Sequence, residues 1–177
     1  MNPDLLRIYY STTKIKVTRH WFFLSLLATL TLSCSNENPN EQHLSDIKLV
    51  KLNGETLSQE ELKGKKVFLN LWATNCRPCI QEMPSIKNAS EELKNDNYIF
   101  LAASEESIDE IKKFADRFAG KEGFELDFIQ IQTPVTALGA TALPHTLIFD
   151  EEGELVYEHT GAATWDNPEM LTKLFSL

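Results

Sequence analysis

The chain has 177 residues, with 26 acidic side chains against 17 basic ones and a formal charge of −9. Such a surface repels phosphate backbones and anionic headgroups, which excludes nucleic-acid binding and electrostatic adhesion to membranes. Three cysteines are too few for a disulfide scaffold, so stability must come from an apolar core.

At the N-terminus, Lys14, Lys16 and Arg19 precede the apolar stretch Trp21 to Leu32, followed by Ser33 and Cys34. Basic, then apolar, then small is the order of a secretory signal, which sets residues 1–33 apart from the fold. The apolar stretch of 12 residues falls short of the roughly 20 needed to span a bilayer. Cys34 at that boundary resembles a bacterial lipoprotein cleavage site, where the thiol receives lipid, although Thr31 stands where leucine is usual. An uncleaved anchor and ordinary cleavage nearby are the alternatives. The leader holds four of the basic residues and one of the acidic ones, so residues 34–177 carry −12. Residues 34–43 are polar without an apolar period and read as a flexible tether, leaving 44–177 as one domain.

From Leu44 onward the pattern is compact. Asn53-Gly54 inside Ile47 to Leu57 predicts a hairpin turn between two short extended runs. Ser58 and Glu61 form a capping box for a brief helix ending before Gly64. Val67 to Leu71 is a nearly continuous apolar run of strand length, expected of a strand covered on both faces.

Cys76 and Cys79 follow that strand at the head of a helix-patterned segment, with Arg77 and Pro78 between them. Residues three apart on a helix have Cβ atoms about 5 to 6 Å apart, and a disulfide wants roughly 3.5 to 4.5 Å. A small tightening of the first turn closes the bond, so the spacing predicts a reversible disulfide. The unpaired N–H groups and partial positive charge of a helix start favour thiolate on Cys76, and Arg77 adds a cation. Cys76 is the expected nucleophile and Cys79 the resolving thiol.

Cys79, Met83, Ile86, Ser90 and Leu93 mark the predicted buried face of this helix, with Pro84 inside it. Tyr98 to Ala103 is the next buried strand. Ser107 and Glu110 cap a helix whose apolar stripe is Ile108, Ile111, Ala115 and Phe118. Asp127 to Ile131 is a short strand, and Thr146 to Phe149 with Leu155 to His159 form a hairpin around Gly153. Asn167 and Pro168 start a final helix through Leu174. Alternating strands and helices with a closing hairpin imply an α/β fold, a mixed sheet with helices on both faces.

Trp72-Ala73-Thr74-Asn75-Cys76-Arg77-Pro78-Cys79, then Glu82-Met83-Pro84, and Leu143-Pro144 before a strand resemble the thioredoxin superfamily. Within it the chain resembles the membrane-tethered TlpA/ResA-like thiol-disulfide oxidoreductases, from about Leu44 to the C-terminus. The resemblance implies a thioredoxin-like fold with an N-terminal β-hairpin extension. It implies a cis Pro144 opposite the cysteines, with Leu143 and Pro144 lining a groove for an extended substrate and Trp72 shielding the disulfide. It also implies that Glu82 affects cysteine acidity and partner recognition, where helical spacing alone reads as an exposed glutamate. Asn75 stands where the family commonly has tryptophan, Asn70 where cytoplasmic thioredoxins carry a buried aspartate, and His145 where threonine is frequent.

The function expected is exchange of the Cys76-Cys79 pair with client proteins that carry cysteines or disulfides, in the reducing direction. No cofactor beyond that pair is expected. The expected setting is the cell envelope, with a lipid on Cys34, a membrane-associated electron donor and a monomeric enzyme. Peroxide reduction ranks below this, because Ala73 and Leu69 replace the threonine and proline that usually precede a peroxidatic cysteine. Copper binding or delivery through Cys76, Cys79 and His145 is the non-enzymatic alternative. Structural zinc usually needs four protein ligands, so no metal is assigned.

Overall fold

The computed structural model describes residues 42–124 and 126–177. The predicted signal, Cys34 and the tether up to residue 41 lie outside the described residues, while His43, expected at the end of the tether, belongs to the fold, bridging Glu154 with its ring 3.0 Å from Glu152 O. The strands are β1 (Leu49–Lys51), β2 (Lys66–Leu71), β3 (Tyr98–Ser104), β4 (Phe128–Ile131), β5 (His145–Phe149) and β6 (Leu155–Thr160). The helices are α1 (Gln59–Leu62), α2 (Arg77–Glu92), α3 (Ile108–Glu122) and α4 (Pro168–Ser176). The six strands form one mixed sheet in the order β1-β4-β3-β2-β5-β6. β2, β3 and β4 run parallel, while β1, β5 and β6 pair antiparallel with their neighbours.

β2 is central because its sequence can be buried on both sides: Val67, Phe68, Leu69, Asn70 and Leu71 are all fully buried. Each such apolar side chain contributes about 1.5–3 kcal/mol relative to exposure. Odd-numbered residues of β2 join Leu101, Leu147 and Phe149 in one apolar cluster with Leu44, Leu62 and Leu138. On the opposite face, Phe68 and Trp72 meet residues of α2, α3 and α4.

The long helices therefore share one face, and α1 with the 3-10 turns Leu44–Asp46 and Val135–Leu138 covers the other. Successive parallel crossovers from β2 to β3 to β4 move in one direction. Their shared right-handedness drops α2 and α3 on the same side. The predicted hairpin around Asn53-Gly54 forms with a short return arm: Lys51 N–H reaches Glu55 O at 2.7 Å, Leu57 N–H reaches Leu49 O at 2.9 Å, and Val50 bridges Thr56. The other edge of β1 pairs with β4. The capping boxes hold, with the Ser107 hydroxyl accepting from Glu110 N–H and the Glu110 carboxylate from Ser107 N–H. In α2, Ala89 rather than Ser90 lies on the buried face, and Glu82 joins it. In α3, Phe114 is buried where Ala115 was expected.

Candidate active site

β2 ends beside Trp72, and a short turn then delivers Cys76 to the N-cap of α2. Cys76 and Cys79 are disulfide-bonded, with S–S 2.00 Å and Cα atoms 5.3 Å apart. The Cys79 N–H donates to Cys76 Sγ at 3.3 Å. This is one of the four donors that a helix start leaves free, and it is aimed at the sulfur that would carry charge in the reduced form. Cys76 is partly exposed whereas Cys79 is fully buried. Arg77 and Pro78 are exposed on the first turn.

Trp72 packs against Phe114 and Phe128, with ring centroids 4.6 and 5.1 Å away, in the same cluster as Cys79 and Met83. It both closes the core and forms a wall beside the cysteines. The Leu143–Pro144 bond is cis. His145, the next residue, pairs with Leu71, which places Pro144 at the sheet end where Trp72 leads to the cysteines. Leu143 packs against the cluster of Trp72 and Cys79, and Pro144 O accepts from Gly161 N–H at 2.8 Å.

Glu82 lies one helical step beyond Cys79, and its burial overturns the exposed-helix reading: it is only 3% exposed. Oε1 accepts from Asn70 Nδ2 at 2.8 Å, and Oε2 accepts from Ala163 N–H at 3.0 Å and Trp165 Nε1 at 3.2 Å. Burial raises its pKa above the ordinary 4.5, and the three donors oppose that rise without cancelling it. Asn70 Nδ2 also donates to Thr146 Oγ1 at 3.0 Å. Sequence reasoning missed Thr146, Ala163 and Trp165. The available signal was Asn70 itself, since a polar residue inside a fully buried run needs partners.

His145 is fully buried but points to the other face of the sheet, in the alternation that sends Thr146 toward Asn70. Its Nδ1 lies 2.9 Å from Thr160 Oγ1 and its Nε2 3.3 Å from Glu158 Oε1. The sheet thus separates His145 from the cysteines, and the ligand set Cys76, Cys79 and His145 is not brought together. A cavity of about 560 Å³ is lined by residues of β1, α1, β3, α3 and β4; it shares Phe128 with the cluster around Trp72, and neither cysteine lines it.

A family model described as Redoxin matches residues 37–174. The thiol-disulfide oxidoreductase ResA of Halalkalibacterium halodurans is 32% identical, covering 84% of this chain and 90% of that protein. The thioredoxin-like protein YneN of Bacillus subtilis is also 32% identical, covering 75% and 77%. Among solved structures, a putative thiol:disulfide interchange protein DsbE from Chlorobium tepidum superposes with a TM-score of 0.61 at 18% identity, over 77% of this chain and 95% of that one. The thioredoxin domain of a thiol-disulfide oxidoreductase from Bacteroides vulgatus gives 0.59 at 18%, over 73% and 91%. Those two likenesses bear on the fold.

Proposed function

The chain belongs to the thioredoxin superfamily, in the redoxin family with the ResA-like thiol-disulfide oxidoreductases, and on that premise we propose that Cys76 and Cys79 reduce disulfides of exported client proteins. The observation that carries this reading is the asymmetry of the pair. Cys76 is partly exposed, with an N–H aimed at its sulfur, and Cys79 is buried behind it.

In the reduced protein the Cys76 thiolate attacks one sulfur of a client disulfide, forming a mixed disulfide and releasing the other client sulfur as a thiolate that takes up a proton. Cys79, losing its proton, then attacks Cys76 Sγ. The Cys76–Cys79 bond forms, the mixed disulfide breaks, and the second client sulfur leaves as thiolate, so two electrons pass to the client. In this reading Glu82, three residues beyond Cys79 on α2 and with its pKa raised by burial, takes the proton that Cys79 gives up. The client segment lies extended along the partly exposed Leu143 and the backbone of the cis-proline turn, with Trp72 buried beneath it and Arg77 and Pro78 at the rim tuning Cys76. No cofactor takes part beyond the cysteine pair.

In this reading residues 1–33 are an export signal, Cys34 carries a lipid, the residues from there to 41 tether the domain, and a membrane-associated donor re-reduces a monomeric enzyme. The test replaces Cys79 with serine in the full chain, expressed in its native envelope, and recovers what stays covalently attached to Cys76. Reductant-sensitive adducts that vanish when Cys76 is also replaced are the expected result. Absence of any Cys76-dependent adduct would overturn the exchange mechanism.

A further inference from the structure

Past Trp72, whose N–H reaches Ala103 O at 3.0 Å, the ladder ends and the chain reaches Cys76 by a turn closed by Cys76 N–H to Ala73 O at 3.0 Å. Thr74, inside that turn, is held at two points by a residue 32 positions away. Its N–H donates to Glu106 Oε2 at 2.8 Å and its hydroxyl to Glu106 Oε1 at 2.7 Å. Glu106 is itself anchored. The hydroxyl of the fully buried Ser104, at the end of β3, donates to Oε2 at 2.9 Å, and Gln130 Nε2 donates to the Glu106 carbonyl at 3.1 Å. The adjacent Glu105 accepts from Val135 N–H at 3.0 Å, at the start of the 3-10 turn that precedes the cis-proline loop. One turn at the end of β3 thus grips the segment that leads to Cys76 and, through Glu105, the 3-10 turn from which the chain goes on to the cis-proline loop.

We propose that Glu106 is a positioning residue for the nucleophile: by fixing Thr74 it fixes the Ala73–Cys76 turn and holds Cys76 Sγ over the Cys79 N–H. The proposal rests on the exchange reading above. Its physical basis is preorganisation, since a displacement of about 1 Å at a reacting atom costs up to about 10²-fold in rate. The competing effect is charge. A carboxylate near a thiolate disfavours it, so a Glu106 acting through its charge alone would suppress Cys76. The two roles predict opposite signs. Losing the grip raises the pH at which Cys76 becomes reactive, and losing a repelling charge lowers it.

The experiment measures the pH profile of Cys76 alkylation in the reduced full chain, with the labelled cysteine identified by mass spectrometry, alongside the rate of exchange with a small aromatic disulfide. Glu106→Ala and Thr74→Val should move the alkylation midpoint up by about one pH unit, which corresponds to about tenfold less thiolate at fixed pH, and slow exchange to match. Thr74→Ser, which keeps the hydroxyl, should fall nearer the parent than Thr74→Val. A midpoint that stays put or moves down in both disrupting variants overturns the proposal. Should Glu106→Ala not fold, the Thr74 pair decides, because it leaves Glu106 in place. A parent protein that alkylates normally but exchanges with no disulfide would instead sink the exchange reading.

Discussion

On one face of β2, Val67, Leu69 and Leu71 pack into an apolar cluster with Leu101, Leu147 and Phe149, whereas on the other Phe68 and Trp72 flank Asn70, whose amide joins Glu82 and Thr146. The faces differ in how their stability is distributed. Apolar contacts are non-directional and each side chain contributes largely on its own. The polar cluster is interdependent: Asn70, Ala163 and Trp165 all aim donors at the Glu82 carboxylate, and each is left unsatisfied if it goes. Both faces carry apolar clusters, but the cysteines and the interdependent polar groups lie on the second.

Leu69→Ala tests that division most forcefully. Leu69 is fully buried in the apolar cluster, so the substitution should cost about 2–5 kcal/mol in urea unfolding. Disulfide exchange by the fraction that remains folded should stay near the parent rate. A large loss of exchange per folded molecule would show that the two faces are coupled.

Glu82→Gln attacks the other face and should leave stability nearly intact at neutral pH. Asn70 Oδ1 has no partner among the described residues, so a flip of the Asn70 amide turns that oxygen toward both the new amide and the Thr146 hydroxyl. The remaining oxygen still accepts from Ala163 and Trp165. If Glu82 is the proton acceptor proposed above, exchange should nevertheless slow by on the order of 10²-fold. The pH dependence follows from the raised pKa of the parent group. A carboxyl whose folded pKa lies above its unfolded value contributes stability that is full below about 4.5 and is lost as pH rises through the folded value. Parent minus variant stability should therefore fall with rising pH above about 4.5. A flat difference would mean that burial leaves the carboxyl unshifted.

Much of the first face was legible in the sequence, because Val67 to Leu71 reads as a buried strand from composition alone. The capped helix starts at Ser107 and Asn167 are local signals of the same kind. The polar cluster was not legible, since its partners for Glu82 come from positions 12 to 83 residues away and helical spacing says nothing of them. The Glu106 grip on Thr74 is hidden for the same reason. Ser90 was misplaced because a three-four count tolerates either Ser90 or Ala89, and packing selected the smaller apolar residue.

The smallest effect concerns His145, the one titratable side chain on the apolar side of β5. Burial lowers its pKa below the ordinary 6.5, the Glu158 carboxylate opposes this by raising it, and His159 lowers it further. A histidine with a depressed folded pKa binds fewer protons folded than unfolded. Its contribution to stability is full above about 6.5 and is lost as pH falls through the folded value. This slope is opposite in sign to that of Glu82, so the two partly cancel in the parent between about 4.5 and 6.5, and either variant alone exposes the other. His145→Thr should remove the acid loss, so that parent minus variant stability falls as pH drops below about 6.5, whatever the fixed cost of the smaller side chain. Glu158→Gln should extend the loss to lower pH, but only slightly, because the Glu158 side chain is 48% exposed and solvent screens its charge. Parallel pH curves for the parent and His145→Thr would show that the ring titrates alike folded and unfolded.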